Sequence, residues 1–282
     1  MQANKSIKLI PVGKAFRLIL LSIFIMQGVI LGSFMIYRNV KRSWTDDNAF
    51  RIVALVQTGP EKEALPTGFL AELLDLSVDR PINLYRFDCK EGRDKLLRCP
   101  VIKEATVRRI KPGTVYVDYS LRKPVAYLGD LSNTALDADG VAFPFSPYYT
   151  PKFLPEIFLG GSEDVLEKSY PCKWGDCIQS ERLQLAWNVL QQVRARLADD
   201  SIRIHRIDVS RSGSASYGFR EIIVVLENRD RKQVILRLNS HDYPSALTDY
   251  RLMMDHSEQD LQANPLIIDL RIPNLAFVKE KE

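Results

Sequence analysis

The chain has 282 residues, 46% of them apolar, and a formal net charge of +4. That apolar content excludes a largely disordered chain, and at roughly 100–200 residues per domain the length suits two globular pieces plus an anchor. The basic excess is small, and Lys and Arg are interleaved with Asp and Glu, a pattern of solvated surface and not of a nucleic-acid footprint.

Residues 1–17 read as a short tail with basic residues Lys5, Lys8, Lys14 and Arg17. Residues 18–37 follow without a charge, and their one strongly polar side chain is Gln27. About 20 residues at 1.5 Å rise match the roughly 30 Å hydrocarbon core of a bilayer, and a helix satisfies its own backbone groups there. Gly28, Gly32 and Ser33 suit a membrane helix, where small residues permit close approach. A cleaved signal peptide has a shorter apolar region ending in small residues. This run is longer and leads into Tyr37-Arg38-Asn39, so a retained transmembrane helix is expected. Arg38, Lys41 and Arg42 follow the run, so charge barely separates its two sides. The short leading tail and the long body fit a cytoplasmic N-terminus with the body outside.

Residues 38–49 read as a linker, polar from Ser43 to Asn48. Phe50 to Val56 is an apolar run of strand length, and Thr58-Gly59-Pro60 turns the chain. Pro66 suits a first helical turn, with Phe69, Leu70, Leu73, Leu74 and Leu76 at helical spacing behind it. A second helix starts near Asp88, which stands three before Glu91 as in a capping box, and Pro100 stops it. Val101 to Ile110 is a strand, Lys111-Pro112-Gly113 a turn, and Val115, Val117, Tyr119 and Leu121 alternate with polar residues as in a half-buried strand. Strand, helix, helix, strand, strand over residues 50–122 describes a small α+β layer.

A larger unit, 123–279, follows, with 280–282 as a tail. Leu136 to Phe143 reads as strand, tight turn, strand. Ser180 caps a helix whose Leu183, Ala186, Trp187, Leu190, Val193 and Leu197 form one stripe, either packed on the unit's own sheet or open as a partner groove. Ile204 to Val209 is a strand, and Phe219 to Leu226 and Gln233 to Leu238 flank Asn228-Arg229-Asp230 as a hairpin. A helix from Pro244 to Met254, a buried strand Leu266–Leu270 and a last strand Asn274–Val278 complete the unit.

Motifs for chemistry are missing. His205, His241 and His256 lie in no metal-binding or catalytic pattern, and the chain has no G-x-S-x-G elbow, P-loop or G-x-G-x-x-G. Asp199-Asp200 sits in a polar turn. These features point to a protein that is not an enzyme and carries no metal or cofactor. Of the four cysteines, Cys172 and Cys177 flank a turn and are expected as a disulfide if the body is extracytoplasmic. Cys89 and Cys99 sit near opposite ends of one helix, too far apart to bond.

Several stretches, in order, resemble the FtsQ/DivIB family of bacterial cell-division proteins. Leu55-Val56-Gln57-Thr58-Gly59 looks like the opening strand of that family's POTRA domain, and Leu97 to Arg109 like its second helix and following strand. Lys123-Pro124-Val125-Ala126 is similar to the hinge into the second domain. Asp137 to Phe143 with Leu154-Pro155 is similar to that domain's start, and Ile268-Asp269-Leu270-Arg271 to a signature near its end. The chain departs from the family at Leu121, where an acidic residue is common, and in the insert from Tyr148 to Cys177.

The resemblance implies a bitopic divisome scaffold in the bacterial cytoplasmic membrane, at the division septum. Its second domain would bind FtsB-like and FtsL-like single-span partners and link them to septal peptidoglycan synthesis. No nucleic acid or small-molecule substrate is implied. The expected mode is β-augmentation, in which a partner strand completes the ladder of an edge strand. The candidate residues are Arg271, Ile272, Asn274, Leu275, Ala276, Phe277 and Val278, with Phe277 as apolar anchor or core residue. A second candidate surface is Val56, Gln57, Thr58 and Gly59. The alternative function is an anchored extracytoplasmic adaptor of another envelope or secretion complex.

Overall fold

The computed structural model describes residues 12–161, 174–197, 202–227, 232–256 and 266–280. They form a mixed α+β structure with one long apolar helix, a three-stranded sheet and a nine-stranded sheet. One compact unit gathers the described residues up to Gln57 with Thr67–Gly92 and Val107–Val117. The other gathers Thr58–Pro66, Arg93–Thr106 and the described residues from Asp118 onward.

Helix α1 runs without a break from Val12 to Asp46. Its stretch from Leu20 onward is long and apolar enough to cross a membrane. The expected polar linker at Ser43–Asn48 is therefore mostly helical. The reason lies far off in sequence: the Asn83 side-chain amide donates to the carbonyls of Trp44 and Asp47, both at 3.0 Å. Those bonds satisfy backbone oxygens that a helix end leaves orphaned. Arg86 adds an ion pair to Asp46 at 2.5 Å. Asp47 then caps a single 3-10 turn, Asn48–Phe50, by accepting from the Ala49 N–H.

The small sheet has the order β1-β3-β2, with β1 at Ala54–Thr58, β2 at Ile102–Ile110 and β3 at Thr114–Leu121. Helices α2 (Thr67–Leu73) and α3 (Cys89–Leu97) lie between β1 and β2 in the chain. The first strand begins at Ala54 and not at Phe50, because Phe50 closes the 3-10 turn and sets its ring edge-on to Tyr85, 5.0 Å between centroids. Asp88 starts α3 as its carboxylate accepts from the Lys90 and Glu91 N–H groups. Alternation in β3 buries Val115, Val117, Tyr119 and Leu121, as its period of two requires. Gly113 in the β2–β3 turn leaves no room for a side chain, since a Cβ would strike the Arg51 carbonyl.

The large sheet has the order β12-β11-β10-β9-β8-β7-β4-β5-β6. Strands β4 (Ala126–Leu128), β5 (Thr134–Leu136), β6 (Ala142–Pro144) and β7 (Glu156–Phe158) build one half. Strands β8 (Arg203–Asp208), β9 (Ile222–Glu227), β10 (Gln233–Leu238), β11 (Leu266–Asp269) and β12 (Phe277–Glu280) build the other. The expected hairpin is present as β9 against β10; its tip, Asn228–Asp230, lies outside the described residues. Pairs β4–β7, β7–β8 and β10–β11 are parallel, so the sheet is mixed.

Helices α4 (Glu181–Arg196) and α5 (Tyr243–His256) cover this sheet. Ser180 caps α4 by accepting from the Arg182 N–H at 3.3 Å. Leu183, Ala186, Leu190, Val193 and Leu197 all lie in the core with Ile207, Val224, Leu236, Leu247 and Ile268, and Trp187 packs against it. The stripe on α4 therefore packs on its own sheet and forms no open groove. Burial pushes the Tyr250 phenol up to about 12, so this core side chain of α5 stays neutral.

Candidate partner-docking edge

Strand β12 ends the large sheet and has no further strand beside it among the described residues. It pairs antiparallel with β11, setting Phe277 opposite Asp269 and Val278 opposite Ile268. Partners across a ladder share a face. Val278 therefore stands on the side where Ile268 enters the core, and Phe277 on the side where Asp269 meets its arginines. Phe277 is 56% exposed. This resolves the sequence alternatives for Phe277 against a core position.

The last strand starts three residues later than expected. Asn274 takes a left-handed φ of 61°, and the Leu275 N–H donates to the Ile272 carbonyl at 3.2 Å, closing a turn. Pro273 has no N–H to give a ladder, and Asn tolerates the left-handed region, so this pair makes a turn and not a strand start. Asn274, Leu275 and Ala276 thus line a groove of about 320 Å³ with Ile272 and with Ala246 and Met253 of α5. Asp242 and Asp249 stand on its helix side. Ile272, Leu275, Phe277 and Val278 are all exposed large apolar residues within seven positions.

An ionic frame fixes the base of this edge. Asp269 accepts from Arg271 Nη2 at 2.7 Å and from Arg237 Nη1 at 3.1 Å. Glu221, buried, pairs with Arg237 at 2.6 Å and Arg211 at 3.1 Å. Arg271 also donates to the Gly218 carbonyl at 2.8 Å. Its guanidinium is thus engaged inside the chain and holds the turn in place. Burial tends to raise the Asp269 pKa, but hydrogen bonds and charge from Arg271, with Arg237, outweigh it and hold the carboxyl below its usual range. The hydrogen bond to Asp269 raises Arg271 in turn.

The second expected surface lies on β1, an edge of the small sheet. Val56 is exposed, and Gln57 donates to the Thr67 hydroxyl at 3.1 Å. Gly59 lies under the Tyr119 ring, whose atoms stand 2.6 Å from where a Cβ would be, and the Tyr119 hydroxyl accepts from the Leu65 N–H at 2.7 Å. A groove of about 400 Å³ lined by Val53, Leu76, Val78 and Ile82 runs beside β1.

Cys172 lies outside the described residues; its expected partner Cys177 is an exposed free thiol whose Sγ stands 3.2 Å from the Asp139 carbonyl. Cys89 and Cys99 are free thiols, and burial raises the Cys99 pKa. Asp199-Asp200 also lies outside the described residues. Among the described residues no group of three or more His, Cys, Asp or Glu could hold a metal ion. In the insert, Tyr149 donates to the Arg122 carbonyl at 2.8 Å, and Arg122 pairs with Asp137 at 2.7 Å. Sequence reasoning missed these last roles, since nothing local marks Arg122 as the partner of Asp137. The chain matches no protein-family model and no curated protein.

Proposed function

We propose that the chain is a single-span, non-enzymatic scaffold of the bacterial division machinery, held in the cytoplasmic membrane by α1, with its body outside. On this reading the small unit is a POTRA domain, and the β1-β3-β2 order with two intervening helices supports it. The large sheet takes FtsB-like and FtsL-like partners on β12 and passes their state on to the septal peptidoglycan synthase.

The observation that carries the proposal is the open edge at β12, where outward backbone groups and exposed Phe277 lie beside an apolar groove. An extended partner segment completes the ladder, and an apolar side chain seats against Leu275 and Ile272. Aromatic side chains at such centres carry a large share of binding energy.

The test is capture of the FtsB-like and FtsL-like proteins of the same cell by the full chain. Loss of capture on truncation after Pro273 and on Phe277→Asp, with thermal unfolding of the point variant unchanged, is expected. Undiminished capture by a folded Phe277→Asp chain overturns the docking edge. Imaging of a fluorescent fusion checks the setting: recruitment to mid-cell is expected, and uniform envelope staining points to an adaptor of another envelope complex.

A further inference from the structure

The cations that follow the apolar run do not sit on a free linker. Arg38, Lys41 and Arg42 lie on the continuous helix α1, at spacings of three and four that put them on one face. From the end of the apolar run at Tyr37, residues 38–42 rise about 7 Å, which is the depth of one headgroup layer. Trp44 follows at about 10 Å from the hydrocarbon edge. There the small unit is bolted to the helix by Asn83 and Arg86, as described above. Trp44 stacks on Tyr85 at 5.4 Å, and the Lys111 ammonium sits 5.5 Å from the Trp44 ring centre and 5.6 Å from that of Tyr85.

Lys111 belongs to the β2–β3 turn, so this contact brings that hairpin tip to the membrane end of the unit. The tip carries Arg108 and Arg109, both exposed, and Ile110, 46% exposed. Val53, 84% exposed, stands beside the same turn, with its N–H donating to the Gly113 carbonyl at 2.9 Å. The nearby acids have internal work: Asp46 pairs with Arg86, and Asp47 caps the 3-10 turn. Six cations and two apolar tips therefore gather where the helix leaves the bilayer.

The geometry points to a membrane-docking collar: Arg38, Lys41, Arg42 and the Arg108–Lys111 tip seat the small unit on the headgroups of an anionic phospholipid surface. The inference rests on the reading of α1 as a membrane span. Charge complementarity selects the ligand, because Lys and Arg near an anionic leaflet gain attraction that decays within a Debye length of about 8 Å. Ile110 and the long basic side chains reach across the gap that Trp44 leaves. The collar also accounts for basic residues on the body side of the span, where the positive-inside rule does not place them.

The experiment uses the full chain reconstituted in vesicles of phosphatidylcholine alone or of equal parts phosphatidylcholine and phosphatidylglycerol. Amide hydrogen exchange is read over residues 108–114, with β9 as internal reference. Exchange at the tip at least about tenfold slower in the anionic vesicles is expected, since each cation near the surface is worth about fivefold. High salt and the variant R108E/R109E/K111E should each abolish the difference while β9 is unchanged. Equal exchange at the tip in both lipids overturns the collar alone. Release of the chain from both kinds of vesicle by alkaline carbonate overturns the span, and the collar with it.

Discussion

Among the described residues β1 and β12 each end a sheet with no further strand beside them, and the two edges are built differently. At β1 the strand itself alternates between exposed and half-buried residues, and its end is stitched down, with Gly59 under Tyr119 and Gln57 bonded to Thr67. Apolar surface there is a single large side chain on the strand, Val56, and the groove of Val53, Leu76 and Val78 beside it. At β12 the apolar residues are on the strand and the turn that leads to it. The frame of Asp269, Arg271, Arg237 and Glu221 holds that turn from below. An edge with anchors on the strand reads a partner through both backbone and side chains. An edge like β1, with one such side chain, relies mainly on the groove beside it.

The comparison breaks first through the strand beneath β12. Ile268 is fully buried in β11 and sits opposite Val278. Ile268→Ala should cost about 3 kcal/mol in denaturant unfolding and abolish partner capture, because the docking strand loses its platform. Capture that survives this loss would mean that β12 does not depend on its ladder. At the other edge, Gly59→Val drives a side chain into the Tyr119 ring. A cost of about 2 kcal/mol is expected from overpacking, with capture by β12 unchanged; a neutral Gly59→Val would show that the end of β1 is not stitched down.

Asp269→Asn removes the charge that pairs with Arg271 and Arg237, and a loss of about 2 kcal/mol is expected. The same carboxyl sets a pH dependence. Its folded pKa is lowered, so its contribution is present above the unfolded value of about 4 and is lost as pH falls through the folded one. Between pH 7 and 5 this contribution is flat. Stability should fall less steeply below pH 4 in Asp269→Asn than in the wild type, and equal slopes would remove the carboxyl from the account. The smallest stability effects belong to the exposed positions. Phe277→Asp and Val56→Asp should each change stability by less than about 0.5 kcal/mol. Only the first should weaken capture, by about a hundredfold on the scale of an interface anchor.

What the sequence made legible was local. The period of two in β3, the Ser180 cap, the Asp88 start of α3 and the β9–β10 hairpin each rest on residues a few positions apart, and each is found. The misplaced boundaries share a different cause. Ser43–Asn48 looks like a linker until Asn83, some 36 to 39 positions away, caps the helix. Asn274 looks like a strand start until its left-handed turn is seen. The parallel pairings of β7 with β4 and β8 join distant segments whose apolar patterns fit several neighbours equally. The apolar residues near the C-terminus that form the proposed docking edge were visible in the sequence, but their exposure depends on which strand lies last in the sheet. Arg271 was named from sequence as a partner-binding residue; its guanidinium is engaged inside the chain by Asp269, two positions earlier, and by the Gly218 carbonyl, 53 positions earlier, and only the second of these is out of reach of local sequence reasoning.

The unbroken course of α1 into the small unit makes the helix a crank as well as a tether. A helix advances 100° per residue, and the Asn83 cap and the Arg86 ion pair fix the azimuth at which the unit meets it. On the proposed reading of α1 as a membrane span, rotation of the span is therefore delivered to the small unit that Asn83 and Arg86 hold. One residue inserted between Tyr37 and Trp44 swings the small unit by about 100° about the helix axis, while seven inserted residues return it nearly to its starting heading about 10 Å further along that axis. Rotational phase and distance from the apolar run thus become separable quantities, each set by the number of residues between Tyr37 and Trp44.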